Sequence, residues 1–418
     1  MNCDALIEFV KSDMKPSLGV TEPGAISYAC AAASALLPAV PTHVEIELSS
    51  GILKNSYTCA IAGTDKLGCA YAAALGAVIA DPSLGLMTLQ LATDEKRLIA
   101  TGLTERGEVV VHLGGISSRV YIKARVSAGD VTATALITDR HDNLVYARLE
   151  TEGDRSDAAD DPCREETEEP SPILTYTLKE LYECASTVDA LKLDFIAEAI
   201  DVNRALYESG EGDGYTVVSA CIAPTDSKSI AKRAACGAIE ARVRGAALPA
   251  MSITGSGSHG ILCTLPVAYY GAIEGAPTAY ILRAVFLSCL VTEYIKACSG
   301  RLSPACGCVL AGGSGSALGL TMLMGADYEG LCCALEAMAA SVTGLICHGG
   351  NPGRVLKAAT GIDTAFLAAD MGVAHVRVGA RHGILASTPE KVMANMGKIA
   401  SEGMRGAEHT ILDIMTDE

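Results

Sequence analysis

Apolar and polar residues alternate over Thr42–Ser49, with Val44, Ile46 and Leu48 on one face and His43, Glu45 and Glu47 on the other. A period of two predicts a strand with one face in water. Four further runs, VVVHL, RVYIKARV, VTATALIT and LVYARLE, follow between Val109 and Glu150. They are β-branched, alternating and separated by Gly, Asp and Asn, so they predict an antiparallel sheet. Before them, residues 1–40 read as helical with an interruption at Pro16–Pro23, and an Ala-rich helix is expected over 66–80 after a Gly-containing turn at Thr58–Thr64. After them the period changes. Leu178–Ala185, Leu191–Glu208 and Ser227–Val243 carry helical spacing, and the segments beyond are long, rich in Ala, Gly and Leu, and hardly charged. Helices apolar on every side belong at the centre of a helical domain. Three Gly-rich stretches are read as breaks: Thr254–Gly260, Ala311–Gly319 and Gly344–Gly353.

The pattern predicts an α+β chain. An N-terminal α/β part with a small antiparallel sheet covers 1–150, and a mainly helical domain covers 174–418. Between them, 151–173 reads as an acidic linker. Residues 151–170 hold nine acids against two arginines and almost nothing apolar, the composition of a solvated segment.

Charge and composition narrow the function. With 49 acidic and 32 basic side chains the net charge is −17, which argues against nucleic acid and anionic membrane as partners. Half the residues are apolar, yet 4% are aromatic and Trp is absent. The core must be built from small aliphatic side chains. The longest apolar runs, Tyr28–Leu37 and Cys69–Ala80, are too short to cross a bilayer. The N-terminus shows no basic stretch followed by an apolar one, so a cytoplasmic location is expected. The 16 cysteines are then expected as free thiols rather than disulfides. The apolar, low-aromatic helical surface favours a homodimer.

Several motifs carry candidate chemistry. In Gly19-Val20-Thr21-Glu22-Pro23, the proline should push Glu22 out of the helical region, with Thr21 as a helix cap. In Thr254–Gly260 (TGSGSHG), small residues let backbone N–H groups converge on an anion, with Ser256 and Ser258 adding hydroxyls. The turn has no Gly-Lys-Ser/Thr ending, so a small carboxylate fits better than a nucleotide. Cys306 and Cys308 lie in GRLSPACGC, and Cys347 opens Cys347-His348-Gly349-Gly350. Thiolates are soft ligands for iron–sulfur clusters or zinc, but no Cys-x-x-Cys pair is present. Lys54-Asn55 and the turn His141–Asn143 complete the set.

Taken in this order, from Gly19–Pro23 through Lys54-Asn55, Gly63-Thr64, His141–Asn143, Phe195–Asn203, Gly255–Gly260, Gly300–Cys308 and Gly344–Lys357 to Asn395 and Gly403-Met404, the motifs resemble the L-cysteine desulfidase family. Its relatives include the α-domain of iron–sulfur L-serine dehydratases. The resemblance implies a lyase that removes sulfide or water from a small amino acid to give pyruvate and ammonia. It implies a [4Fe–4S] cluster whose open iron polarises the substrate, with Cys306, Cys308 and Cys347 as ligands. Glu22, Lys54, His259 and His348 are the candidate catalytic groups. Thr21, Asn55, Ser256, Ser258 and Arg354 are the candidate substrate-binding groups.

The sequence departs from that family at two cysteine positions and at others, His348 and Asn351 standing for its acid and lysine. Val20 stands where the family has a cysteine, and Arg354 stands at its last cysteine position. Arginine stays cationic and does not ligate metals. The family's Asn in the 254–260 turn is Ser258 here. Three readings follow: a cluster-bearing lyase, a cluster-free isomerase or lyase using histidine, lysine or Glu22 on the same scaffold, and a non-catalytic protein that binds a small amino acid or related carboxylate.

Overall fold

The computed structural model describes residues 2–151, 161 and 170–417. The acidic linker expected over 151–173 therefore lies mostly outside the described residues. Helix α1 (Cys3–Asp13), strand β1 (Lys15–Leu18), helix α2 (Thr21–Ser34) and strand β2 (His43–Ser49) come first. Helices α3 (Ser50–Ser56), α4 (Cys69–Ile79) and α5 (Asp94–Glu105) follow, then strands β3 (Val109–Gly115), β4 (Tyr121–Ala128), β5 (Val131–Thr138) and β6 (Leu144–Leu149). The second half holds α6 (Leu178–Thr187), α7 (Asp194–Gly212), α8 (Ser227–Val243), the short strand β7 (Pro249–Ser252), α9 (Gly257–Ile273) and α10 (Thr278–Ser299). It ends with α11 (Ser314–Leu323), α12 (Tyr328–Val342), α13 (Gly353–Val373), α14 (Pro389–Lys398) and α15 (Arg405–Thr416).

The chain is α+β, as its pattern predicts, but the sheet is mixed. Its order is β3-β2-β4-β5-β6. Strands β4, β5 and β6 form the expected antiparallel meander. Strand β3 does not join β4. It lies on the far side of β2 and runs parallel to it. The segment from Ser50 to Glu108, with its helices, forms the long crossover that a parallel pair requires. The apolar face of β2 is fully buried and faces like residues: Val44 opposite Val126, Ile46 opposite Ala124, Leu48 opposite Ile122.

Helices α2 and α4 pack closely together, with α2 also against β4 and β5. Both are built from Ala, Gly, Cys and Ser, so their backbones approach closely. At Gly76 an added Cβ would lie 2.3 Å from the Ser27 carbonyl oxygen. The low aromatic content thus has a structural use. Side chains with little volume and little rotamer entropy let helices that are apolar all round stack tightly.

The two halves are stitched together rather than strung on a linker. Strand β1 pairs with β7, Lys15 opposite Ser252 and Leu18 opposite Pro249. Cys3 and Cys184 form a disulfide, their Cα atoms 5.6 Å apart. The expectation that all thiols stay free is corrected here. The other described cysteines are free. Two local expectations also change. Pro23 does not expel Glu22 from the helix, because it sits in the first turn of α2, where its missing N–H has no partner to lose. The stretch Ala311–Gly319 is no break: a π-helical turn over Cys308–Gly313 runs directly into α11, its small residues packed against neighbouring helices. Among the described residues no helix is long and apolar enough to cross a membrane.

The α2–α4 contact is checked by Gly76→Ala. The new methyl meets backbone, which no rotamer change can move. The substitution should lower unfolding stability by about 1–3 kcal/mol, read as a fall in the urea midpoint at unchanged slope.

Candidate functional site

Several elements converge on one cavity. The first turn of α2 brings Glu22 and the end of α3 brings Asn55. The β5–β6 turn brings His141, and the start of α9 brings Ser256 and His259. The last turn of α10 brings Lys296, and the chain between α10 and α11 brings Arg301, Cys306 and Cys308. Cys347 comes from the loop before α13 and Arg354 from its first turn. The cavity is narrow, with a volume of about 40 Å³.

Its floor is a hydrogen-bonded chain. Asn55 Nδ2 donates to Glu22 Oε1 at 2.9 Å. The Asn55 Oδ1 receives the Cys347 thiol at 3.4 Å and Arg354 Nη2 at 3.5 Å. Arg354 also donates to the Gly349 carbonyl at 3.0 Å and, through Nη1, to Ser258 Oγ at 3.5 Å. A second guanidinium, Arg242 of α8, reaches the same Ser258 Oγ at 3.0 Å and Thr21 Oγ1 at 3.0 Å. Thr21 thus serves Arg242 instead of capping α2. Both arginines are buried, and both hydrogen-bond only to neutral oxygens.

Buried charge of one sign raises the electrostatic stakes. Burial works against the Arg354 cation, but Cys347, Cys308, Glu22 and Cys306 outweigh it and hold its pKa above the usual arginine value. Burial and then Arg354 pull Arg242 down to about 10. The Cys306 and Cys308 sulfurs lie 3.2 Å apart. The Cys308 thiol donates to Cys306, which lowers the Cys306 pKa and raises that of Cys308, so the pair favours one thiolate beside one thiol.

Burial disfavours the charged form of both cavity histidines. Burial, then Lys296, drives the His259 pKa well below its usual value. The Thr254 hydroxyl donates to the Ile253 carbonyl, so its oxygen accepts from His259 Nδ1 at 2.6 Å. That network leaves the His259 Nε2 lone pair free and turned towards Gly307. His141 is 3% exposed, and neither of its ring nitrogens has a hydrogen-bond partner. Its Nε2 is 3.9 Å from Glu22 Oε1. Lys296 is equally buried, and its ammonium has no hydrogen-bond or ion-pair partner among the described residues. Burial, with Arg301 next, lowers its pKa to about 8.

A family model described as serine dehydratase alpha chain matches residues 85–413. The chain belongs to the serine dehydratase alpha chain family. It is 34% identical over 414 residues to a UPF0597 protein of Caldanaerobacter subterraneus subsp. tengcongensis, covering 98% of this chain and 97% of the relative. It is 32% identical to a UPF0597 protein of Clostridium botulinum, covering 100% and 99%. A UPF0597 protein of Bacteroides fragilis is 34% identical, with 98% and 97% covered. These values make it a divergent member of the family, on a lyase-type scaffold.

A [4Fe–4S] cluster held by three cysteines does not fit the side chains present in this serine dehydratase alpha chain relative. The Arg354 guanidinium, at the position where the resemblance implies a last cysteine ligand, lies within electrostatic reach of the Cys347, Cys308 and Cys306 thiols, where it would repel iron. Cys306 and Cys308 are hydrogen-bonded to each other. Among the described residues, no three His, Cys, Asp or Glu side chains gather in a way that could hold a metal ion.

Of the residues singled out in the sequence, Glu22, Asn55, Ser256, His259, Cys306, Cys308, Cys347 and Arg354 line the cavity. Ser258 and Thr21 lie behind it on the arginines. His348 does not line it. Its ring packs over Gly353, and burial, then Lys357, lowers its pKa. Lys54 turns away from the cavity to a buried ion pair with Glu408 of α15, and its ammonium also reaches the Ser303 carbonyl at 3.4 Å. Sequence reasoning missed Lys296, Arg301 and Arg242, and took His141 for a turn residue. The available signal was a lysine, with Glu293, inside a largely apolar helical stretch (FLSCLVTEYIKACS), since charges buried there need a reason.

The Lys54–Glu408 pair fixes the end of α3, and with it Asn55. Lys54→Met alone should cost about 3–5 kcal/mol of stability by leaving Glu408 buried and unpaired. The double variant Lys54→Met/Glu408→Leu should recover most of that loss, measured by urea unfolding.

Proposed function

We propose that the protein is a lyase that removes the β-substituent of a small amino acid, sulfide in preference to water, giving pyruvate and ammonia without a cluster. The observation that carries this reading is the buried Arg354 guanidinium, free of any carboxylate partner, on the scaffold of a dehydratase family. A planar guanidinium binds a carboxylate through two parallel hydrogen bonds. Glu22, held by Asn55, lies in the same cavity and suits the substrate ammonium.

The elimination then needs a base and a leaving group. His259 Nε2, unprotonated and fixed by Thr254, takes the Cα proton. The Cα–H electron pair forms the Cα=Cβ bond as the Cβ–S bond breaks, and hydrosulfide departs. The resulting aminoacrylate tautomerises to an imine, which water hydrolyses to pyruvate and ammonia. Hydrosulfide is a stable anion and leaves without a Lewis acid. Hydroxide is a poor leaving group and gains nothing comparable from these side chains, which is why sulfide is preferred.

The test is sulfide and pyruvate release from L-cysteine by anaerobically purified protein, with iron measured per chain before and after reconstitution. Turnover should persist after iron is removed. Arg354→Ala should raise KM about 30-fold, the loss of roughly 2 kcal/mol of charge-assisted hydrogen bonding. Turnover that tracks bound iron would overturn the cluster-free reading. No release under any condition would overturn the lyase reading.

A further inference from the structure

One buried group has no part in that elimination. Lys296 lies in the last turn of α10, 5% exposed, and lines the cavity with an unpartnered ammonium. A buried cation without a partner is costly, and nothing in the fold requires a charge at this position. Its neighbour across the cavity is His259. A Cβ on Gly307 would lie 2.9 Å from His259 Nε2 and 3.3 Å from Lys296 Nζ. Both side chains therefore converge over the one residue in this loop whose missing side chain leaves them room. His259 presents a free lone pair there, and Thr254 fixes its ring. The result is an amine, a base beside it, and a third group orienting the base, the arrangement that activates a nucleophile. Burial and the nearby Arg301 lower the Lys296 pKa to about 8, so more of it is free amine near neutral pH than of an ordinary lysine.

We infer that Lys296 is a Schiff-base lysine, which condenses with the carbonyl of a small 2-oxo acid bound in the cavity. This rests on the proposed reading only in taking the ligand's carboxylate to Arg354. The unprotonated Nζ attacks the carbonyl carbon, and the C=O pair moves to oxygen, which takes a proton. His259 Nε2 accepts the proton that the nitrogen sheds and returns it to the departing hydroxyl. One water leaves and a C=N bond remains, with no oxidant or reductant consumed. Protonated, the imine draws electrons from the adjacent carbon, so the methyl protons of bound pyruvate become acidic. The lysine then supplies the electron sink from the chain itself.

The experiment incubates the full chain with pyruvate and borohydride and reads intact and peptide masses. The expected result is one adduct, with the mass of pyruvic acid less one oxygen, on the peptide containing Lys296. It should be absent in Lys296→Arg and suppressed in the parent chain by excess acetate, which needs no variant to fold. Without borohydride, exchange of pyruvate methyl protons in heavy water should exceed the rate with Lys296→Arg at least tenfold. Gly307→Ala, which crowds both groups, should slow the exchange while the chain stays folded. Labelling spread over surface lysines, equal in parent and variant, overturns the inference. So does pyruvate binding, seen as thermal stabilisation, with neither adduct nor exchange. Elimination from cysteine without an adduct sinks this inference alone. An adduct without elimination sinks the lyase reading and leaves this one standing.

Discussion

The site depends on buried positive charge that the protein does not neutralise with carboxylates. Arg354, Arg242 and Lys296 lie below the surface with neutral hydrogen-bond acceptors or none. Glu22 is the one carboxylate lining the cavity with them. Desolvating such groups is expensive, and partial compensation comes from thiols: Cys347, Cys308 and Cys306 all favour the Arg354 cation. A chain with net charge −17 that concentrates cations in one cavity has reserved them for an anion. The same constraint acts on His259. Burial, with Lys296, Arg354 and Arg242 next, holds the His259 pKa well below its usual value.

The fold makes this arrangement affordable through small side chains. Ala, Gly, Ser and Cys bring helix backbones close enough that α2, α9, α10 and α13 all reach one cavity, with α8 behind them. Gly260 lets α9 start against β7, where an added Cβ would lie 1.9 Å from the Met251 carbonyl oxygen. That contact sets the first turn of α9, and so the direction of His259. Strand β7 in turn is held by β1, whose chain continues into Glu22. The N-terminal half therefore positions the acid of the site through a two-stranded sheet shared with the helical half. The Cys3–Cys184 bridge and the Lys54–Glu408 pair tie the same two halves elsewhere.

Much of this was legible in the sequence, and the reason differs by level. Period-two alternation located all five strands of the main sheet, because one buried face leaves a plain imprint. It did not give their order, since β3 pairs with β2 across a crossover that local pattern does not encode. Helix α8 was read to the residue, whereas the 311–319 stretch was read as a break because glycine marks both turns and tight helix contacts. Eight of the candidate side chains line the cavity, since their motifs combine small turn residues with chemistry. Lys54 and His348 belong to such motifs too, yet point elsewhere, and spacing alone does not give a side chain's direction. Lys296 and Arg242 were passed over because single charges within helices look ordinary until their burial is known.

The replacement of a family cysteine by Arg354 acquires its meaning only beside Lys296. A guanidinium at that position excludes a cation but orients a carboxylate. A bound 2-oxo acid needs an electron-withdrawing group before its methyl protons are acidic enough to exchange. A lysine that condenses with a carbonyl provides one from the chain itself, and His259 already stands where proton transfer to and from that lysine would occur. Arg354 as a carboxylate anchor and the amine beside His259 are then two parts of one proposed chemistry, and the guanidinium holds the ligand while the lysine reacts with it.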